Sequence, residues 1–220
     1  YIWSDGNGLH LTHDVDWTND TTRNTSQTRV SGFLLNTSAI ANGPGALRGT
    51  YVGTTRSNAS SQIDYIFGTN PPVAGFFGVW NMYNRVITTN SITDNGTSYT
   101  YTSATVRQKR ANSGNQITFV MGLAEDGIGV TYCGRIDTVA ALNAFAQIGI
   151  GLDASNAFYQ RPGLIDAETA AALAATESLA FTISPQLGVH IVYAVESSDG
   201  TNANSFDIGG LDVLTITFRN

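Results

Sequence analysis

Apolar residues recur at alternate positions in run after run along this chain. Ile117, Phe119, Met121 and Leu123 form one run, Ile128, Val130 and Tyr132 the next, and Leu214, Ile216 and Phe218 the last. A period of two marks a strand with one buried face. Turn-forming clusters separate the runs, among them ANGPGA at Ala41–Ala46, Asn70-Pro71-Pro72 and NSGN at Asn112–Asn115. Roughly ten to thirteen strands follow, which implies an all-β, antiparallel β-sandwich, jelly-roll-like in its pair of sheets. No linker divides the 220 residues, so residues 1–220 are expected to form a single domain. The exception to the alternation is Asp166–Thr176, DAETAAALAAT. Its capping Asp and its alanines suit one short helix, although it lacks a broad apolar face and a loop suits it as well.

The local pattern predicts particular pairings. Leu9, Leu11, Val15 and Trp17 share one face of a first strand. Arg29–Leu35, Arg48–Thr55 and Gln62–Phe67 read as further strands. Asp94-Asn95-Gly96 is a hairpin signal, because Asn-Gly accepts positive φ at both turn positions. A return strand over Thr97–Gln108 and the two runs after it then make an antiparallel meander. Ile148, Ile150 and Leu152 alternate with Gln147, Gly149 and Gly151, which suggests close approach of other backbone. Leu187, Val189, Ile191, Tyr193 and Val195 form a core face with His190 and Glu196 opposite, and Ser197–Ser205 reads as a long polar loop.

The densest aromatic run is Gly75–Val86, GFFGVWNMYNRV. Read as one strand, it puts Phe76, Trp80, Met82 and Val86 on a core face. Phe77, Val79, Asn81, Tyr83 and Arg85 then lie on the other. Aromatic rings beside a guanidinium are characteristic of protein interfaces. Phe77, Tyr83 and Arg85 are therefore candidates for an oligomer interface.

Charge narrows the function classes. Charged residues are 13% of the chain, the net charge is −6, and Lys109 is its one lysine. No basic patch offers a footprint for phosphate backbones, which argues against nucleic acid. No apolar run approaches membrane-spanning length. Cys133, the single cysteine, lies among Val130, Tyr132 and Gly134 and reads as a buried structural thiol. The opening Tyr-Ile-Trp suggests the C-terminal part of a longer chain.

No catalytic constellation stands out. Gly-x-Ser-x-Gly and the Walker loop are absent. His10, Asp14 and Asp16 share a strand face, but side chains in such a row stand about 7 Å apart, whereas metal ligands converge. No metal and no cofactor is expected. Glu125 and Asp126 are adjacent on a turn, while glycoside hydrolysis needs two carboxylates facing across a bond. His190 reads as structural. Loops rich in amides and carboxylates can hydrogen-bond sugar hydroxyls, and an aromatic ring can stack on a sugar. Asp94, Asn95 and Tyr99 on one loop, and Asp199 and Asn202 on another, are the candidates for contact with a host-surface glycan.

Several runs in order carry a resemblance: DWTNDTTR at Asp16–Arg23, RGTYVGTTR at Arg48–Arg56, WNMYNRV at Trp80–Val86, SYTYTSATVRQ at Ser98–Gln108, NQITFVMGLAED at Asn115–Asp126 and GIGLD at Gly149–Asp153. Together they resemble a β-rich C-terminal module of virion structural proteins from tailed bacteriophages, of the tail-fibre, tailspike or head-fibre type. The resemblance spans most of the chain and departs from the pattern around Asn70–Ala74. It implies a non-enzymatic virion protein, an oligomeric appendage, commonly a homotrimer, that meets other virion proteins and in some cases the host surface. It supplies no catalytic residues. Two alternatives are a polysaccharide-degrading tailspike head and a capsid decoration or fibre-anchoring module.

Overall fold

The computed structural model describes residues 1–14, 16–160, 162–206 and 212–220. Val15, expected on the apolar face of the first strand, lies outside them. Among the described residues the chain forms nineteen strands. In order they are β1 (Ile2–Asp5), β2 (Gly8–Leu11), β3 (Gln27–Val30), β4 (Phe33–Asn36), β5 (Gly53–Thr55), β6 (Tyr65–Ile66), β7 (Gly75–Phe77), β8 (Val79–Asn81), β9 (Ile87–Asp94) and β10 (Tyr99–Tyr101). Then follow β11 (Arg107–Gln108), β12 (Gln116–Met121), β13 (Ile128–Asp137), β14 (Ala144–Leu152), β15 (Gly163–Ala167), β16 (Ala174–Ile183), β17 (Gly188–Ser198), β18 (Asn204–Phe206) and β19 (Asp212–Arg219).

Two large sheets face each other as a β-sandwich. One runs β15-β14-β17-β12-β7-β6, with β11 on the far part of β17. The other runs β10-β18-β13-β19-β9, with β16 on the opposite side of β13. All pairings are antiparallel except β7 with β12. Isoleucines from both inner faces, such as Ile148, Ile150, Ile128 and Ile216, meet in one core that extends from Tyr1 to Phe218. Strand pairs β1-β2, β3-β4 and β5-β8 supply an additional N-terminal layer. β12 is buried from Ile117 to Met121 on both faces. Trp80 and Tyr51 pack at its end, where Gly122 is the residue that leaves them room.

Several pairings differ from those the local pattern predicts. β9 and β10 do not form a hairpin. Asp94 pairs with Asp212 and Tyr99 with Phe206, so the two strands follow one another along the same sheet edge. β12 and β13 lie in opposite sheets, so the middle third is not a meander. Alternation reports which side of a strand is apolar and is silent on its partner. Arg29–Leu35 is mostly a hairpin, with Ser31 and Gly32 at φ of 48° and 90°. That geometry is the two-residue turn matching strand twist.

No helix forms over Asp166–Thr176. Ile165 and Ala167 are buried against β14, and β16 begins at Ala174. Of its alanines Ala167 is buried in β15 while Ala170, Ala171 and Ala172 lie exposed between the strands, so tertiary pairing overrides helix propensity here. β17 also has its faces exchanged: His190, Val192, Ala194 and Glu196 point inward, while Val189, Ile191 and Tyr193 are half-buried outside. It runs on through Ser197 and Ser198, both buried, so the polar loop before β18 is shorter than expected. The close approach inferred from Gly149 and Gly151 is present. A Cβ on Gly151 would strike the carbonyl oxygens of Ala154 and Ala157.

Candidate functional site

The aromatic run Gly75–Val86 is two strands. Gly78 separates them, and a Cβ there would meet the carbonyls of Arg56 and Asp64. β7 joins the large sheet and β8 turns away to β5. The break shifts the period, so Phe77 faces the core and is fully buried. Its ring lies 4.3 Å from Tyr65 and 5.6 Å from Phe218, centroid to centroid. Phe77 is therefore withdrawn from the expected interface, because a second copy cannot reach it. Tyr83 is 56% exposed, and Val86 and Ile87 beside it are 55% and 70% exposed. Arg85 is committed within the chain. It donates to Asp126 at 2.7 Å and to Glu125 at 3.2 Å, and its guanidinium sits 5.3 Å from the Trp80 ring. Glu125 also accepts from Arg29 at 2.7 Å. The adjacent carboxylates thus converge on arginines rather than on a substrate position.

The outer face of the six-stranded sheet is almost uncharged along β9 and β19. Ser91 and Thr215 hydroxyls hydrogen-bond at 2.8 Å, and Thr89 and Thr217 at 3.1 Å. Ile87 ends the same row, two residues before Thr89.

A groove of about 910 Å³ opens beneath the N-terminal layer. Arg23 stands in it with its guanidinium 5.1 Å from the Trp17 ring and 4.7 Å from the Tyr51 ring. Asp14 accepts from Thr25 at 2.6 Å, and Asp20 pairs with Arg56 at 2.6 Å. His10 pairs with Asp5 instead of joining Asp14 and Asp16. Among the described residues no three His, Cys, Asp or Glu side chains come together as metal ligands. The groove's stacked cation, aromatic rings and hydrogen-bonding side chains suit a polar ligand with flat apolar faces.

Among the described residues the largest concentration of buried charge is elsewhere, between the two sheets at one end. Lys109 meets Asp212, and both side chains are 1% exposed. Glu196, fully buried, accepts from Arg107 at 2.8 Å, from the Arg110 backbone N–H at 3.1 Å and from the Tyr99 hydroxyl. Asp94 accepts from Asn115 at 3.0 Å and pairs with Arg110 at 3.4 Å. Burial pushes the Glu196 carboxyl up, against the pull of Tyr99, Lys109 and Arg107. Burial and the neighbouring Glu196 carboxylate push the Tyr99 phenol far up. Burial opposes ionised Asp94, yet the hydrogen bonds from Asn115 and Gly96 and the Arg110 and Lys109 charges hold its carboxyl below the usual value. The backbone is constrained here: Arg110 and Ala111 have φ of 55° and 49°, a region that side chains rarely occupy.

This cluster reassigns two of the expected glycan contacts. Asp94 is buried and Tyr99 is tied to Glu196, so neither is presented to a surface ligand. Asn95 remains exposed. Asp199 takes the N–H groups of Thr201, Asn202 and Phe145, and the Asn202 amide as well, so both residues serve to shape their loop. His190 is buried and bridges Asp153 at 2.8 Å and the Leu187 carbonyl at 3.2 Å, a satisfied structural histidine. Cys133 is half-buried on the outer face of its sheet, one residue from inward Tyr132, rather than buried in the core. Sequence reasoning missed the Lys109 cluster. Its one signal was a sole lysine in a chain that otherwise uses arginine. Compared with models of known families and with curated proteins, the chain matches none.

Proposed function

We propose that this chain is a non-enzymatic structural module of a tailed-bacteriophage virion, an oligomeric tail or head appendage. The sequence resemblance supplies the virion setting. The observation that carries the structural role is the exposed corner of Tyr83, Val86 and Ile87, continuous with the hydroxyl face of β9 and β19, where Arg219 opposite Ile87 is the charged residue at the edge. Apolar and aromatic residues beside hydroxyls can pack on a copy of themselves without stranding charge. The Arg85, Arg107 and Lys109 cations, by contrast, each already meet a carboxylate of their own chain. Self-association, as a homotrimer, uses this corner and face, with Tyr83 kept and Phe77 dropped. Sedimentation velocity tests it: the chain should run as a trimer, and Ile87→Glu should release folded monomers. A folded monomer for the unmutated chain overturns it.

A second reading, a polysaccharide-degrading tailspike head, draws on the groove, where Asp14 and Asp16 stand near Trp17 and Tyr51. Host polysaccharide incubated with the purified chain separates the two. Binding without release of oligosaccharide fits an adhesive appendage. Release that Asp14→Asn or Asp16→Asn abolishes fits the tailspike.

A further inference from the structure

The Lys109–Asp212 pair differs from every other ion pair described in the chain. Both partners are 1% exposed, whereas the Arg107 and Arg110 side chains in the same cluster are 31% and 24% exposed. The left-handed turn after Lys109 holds it in place. Gly134 makes room for Asp212, since a Cβ there would strike its carboxylate and Ile148. One Asp212 oxygen accepts the Arg135 backbone N–H at 3.2 Å. The Tyr99 ring centre lies 5.9 Å from the Lys109 nitrogen, and Tyr99 stacks on Phe206. Glu196 accepts the backbone N–H of the residue after Lys109 and the hydroxyl of Tyr99, and the Lys109 charge acts on its carboxyl.

We propose that Lys109 and Asp212 condense into an intramolecular isopeptide bond, with Glu196 as the proton relay. A buried ion pair pays a large desolvation cost. Moving the ammonium proton to the carboxylate leaves a neutral amine and a neutral carboxylic acid, which the site holds without that cost. The Lys109 nitrogen then attacks the Asp212 Cγ and a C–N bond forms. The Arg135 N–H donates to the oxygen that gains charge, a fixed donor of the kind that stabilises tetrahedral intermediates. Glu196 accepts the proton from nitrogen and returns it to the departing hydroxyl. The C–O bond breaks, one water leaves, and a neutral amide remains. No oxidant, reductant or activated donor is consumed. Burial raises the Glu196 carboxyl, which suits a group that both takes and gives a proton. The bond would join the turn after β11 in one sheet to β19 in the other.

Intact-mass spectrometry of the purified full chain tests this. The expected mass is one water below that of the sequence, with a branched peptide joining the Lys109 and Asp212 segments after proteolysis. Lys109→Met and Asp212→Ala should restore the full mass of their sequences. Glu196→Gln, which keeps the side chain's shape, should also remain unlinked while circular dichroism reports a folded β protein. A folded unmutated chain at full sequence mass overturns the proposal. So does a water deficit that persists in Asp212→Ala, which would place the dehydration elsewhere, such as at Asp126-Gly127 or Asp199-Gly200. A Glu196→Gln chain that still cross-links removes Glu196 from the reaction.

Discussion

Phe77→Ala distinguishes a core residue from an interface residue. The ring is fully buried and touches Tyr65, Phe67 and Phe218 at centroid distances of 4.3, 5.4 and 5.6 Å. Truncating a buried Phe costs about 3–5 kcal/mol, from lost transfer energy and the cavity left behind. Aromatic pairs add about 0.5–1.5 kcal/mol each beyond area. Three partners therefore place the loss near the top of the range, about 4–5 kcal/mol. The cavity cannot collapse easily, because β7 is pinned between β6 and β12. For a chain of this length each kcal/mol lowers Tm by about 2–4 °C, so a fall of about 8–20 °C is expected. Phe77→Leu, which keeps most of the volume, should cost about 1–1.5 kcal/mol. Equilibrium urea unfolding measures the loss, and sedimentation of the same samples measures association. An unchanged urea midpoint together with weaker association would refute the reasoning and return Phe77 to the interface.

Other expectations rest on single sites. Burial opposes ionised Asp153, but His190 and the Ile191 N–H hold its carboxyl below the ordinary value. The stability this gives is present above the unfolded carboxylate pKa of about 3.9 and is lost as pH falls through the depressed folded value. Asp153→Asn should therefore flatten the acid limb of a plot of urea midpoint against pH, and an unchanged limb would count against the bridge. Burial pushes the Cys133 thiol up, so a thiol reagent should react slowly at pH 7 and faster as pH rises; rapid reaction at pH 7 would contradict this. Gly151→Ala should cost about 1–3 kcal/mol in urea unfolding, because its Cβ meets fixed carbonyl oxygens.

The inward residues at Ile128, Val130 and Tyr132 of β13 and at Leu214, Ile216 and Phe218 of β19 were legible because they keep a period of two. Their partners were not, because pairing between residues far apart in sequence leaves no local mark. β17 shows the limit most clearly. Its outward Val189, Ile191 and Tyr193 are as apolar as a core face yet only half-buried, and its inward row carries His190 and Glu196. Only the partners Asp153, Arg107 and Tyr99, supplied from three other segments, make that row tolerable inside. The expectation for Phe77 failed at one glycine: Gly78 breaks the alternation between Phe77 and Trp80, so a face assigned from one side of it does not carry to the other. Of the groove, the sequence offered Asp14, Asp16 and Trp17 but no indication that Tyr51 and Arg23 would stand beside them.

The two-sided burial of β12 has a consequence for the order of events during synthesis. The N-terminal pairs β1-β2 and β3-β4 are local and can close as soon as they are made. The segment between the two pairs, however, docks at the end of β12 and the start of β17, where Arg23 donates to the Gly122 carbonyl, the Val189 N–H binds the Asp20 carbonyl and Gly188 abuts Asp20 and Thr21. Those strands leave the ribosome long after Asp20 does. The Asp20–Arg23 segment must then wait for its partners until nearly the whole chain has emerged. Slow, late closure of this kind exposes nascent chains to one another. Neighbouring ribosomes on one message would hold several such chains side by side at the moment their outer faces are completed.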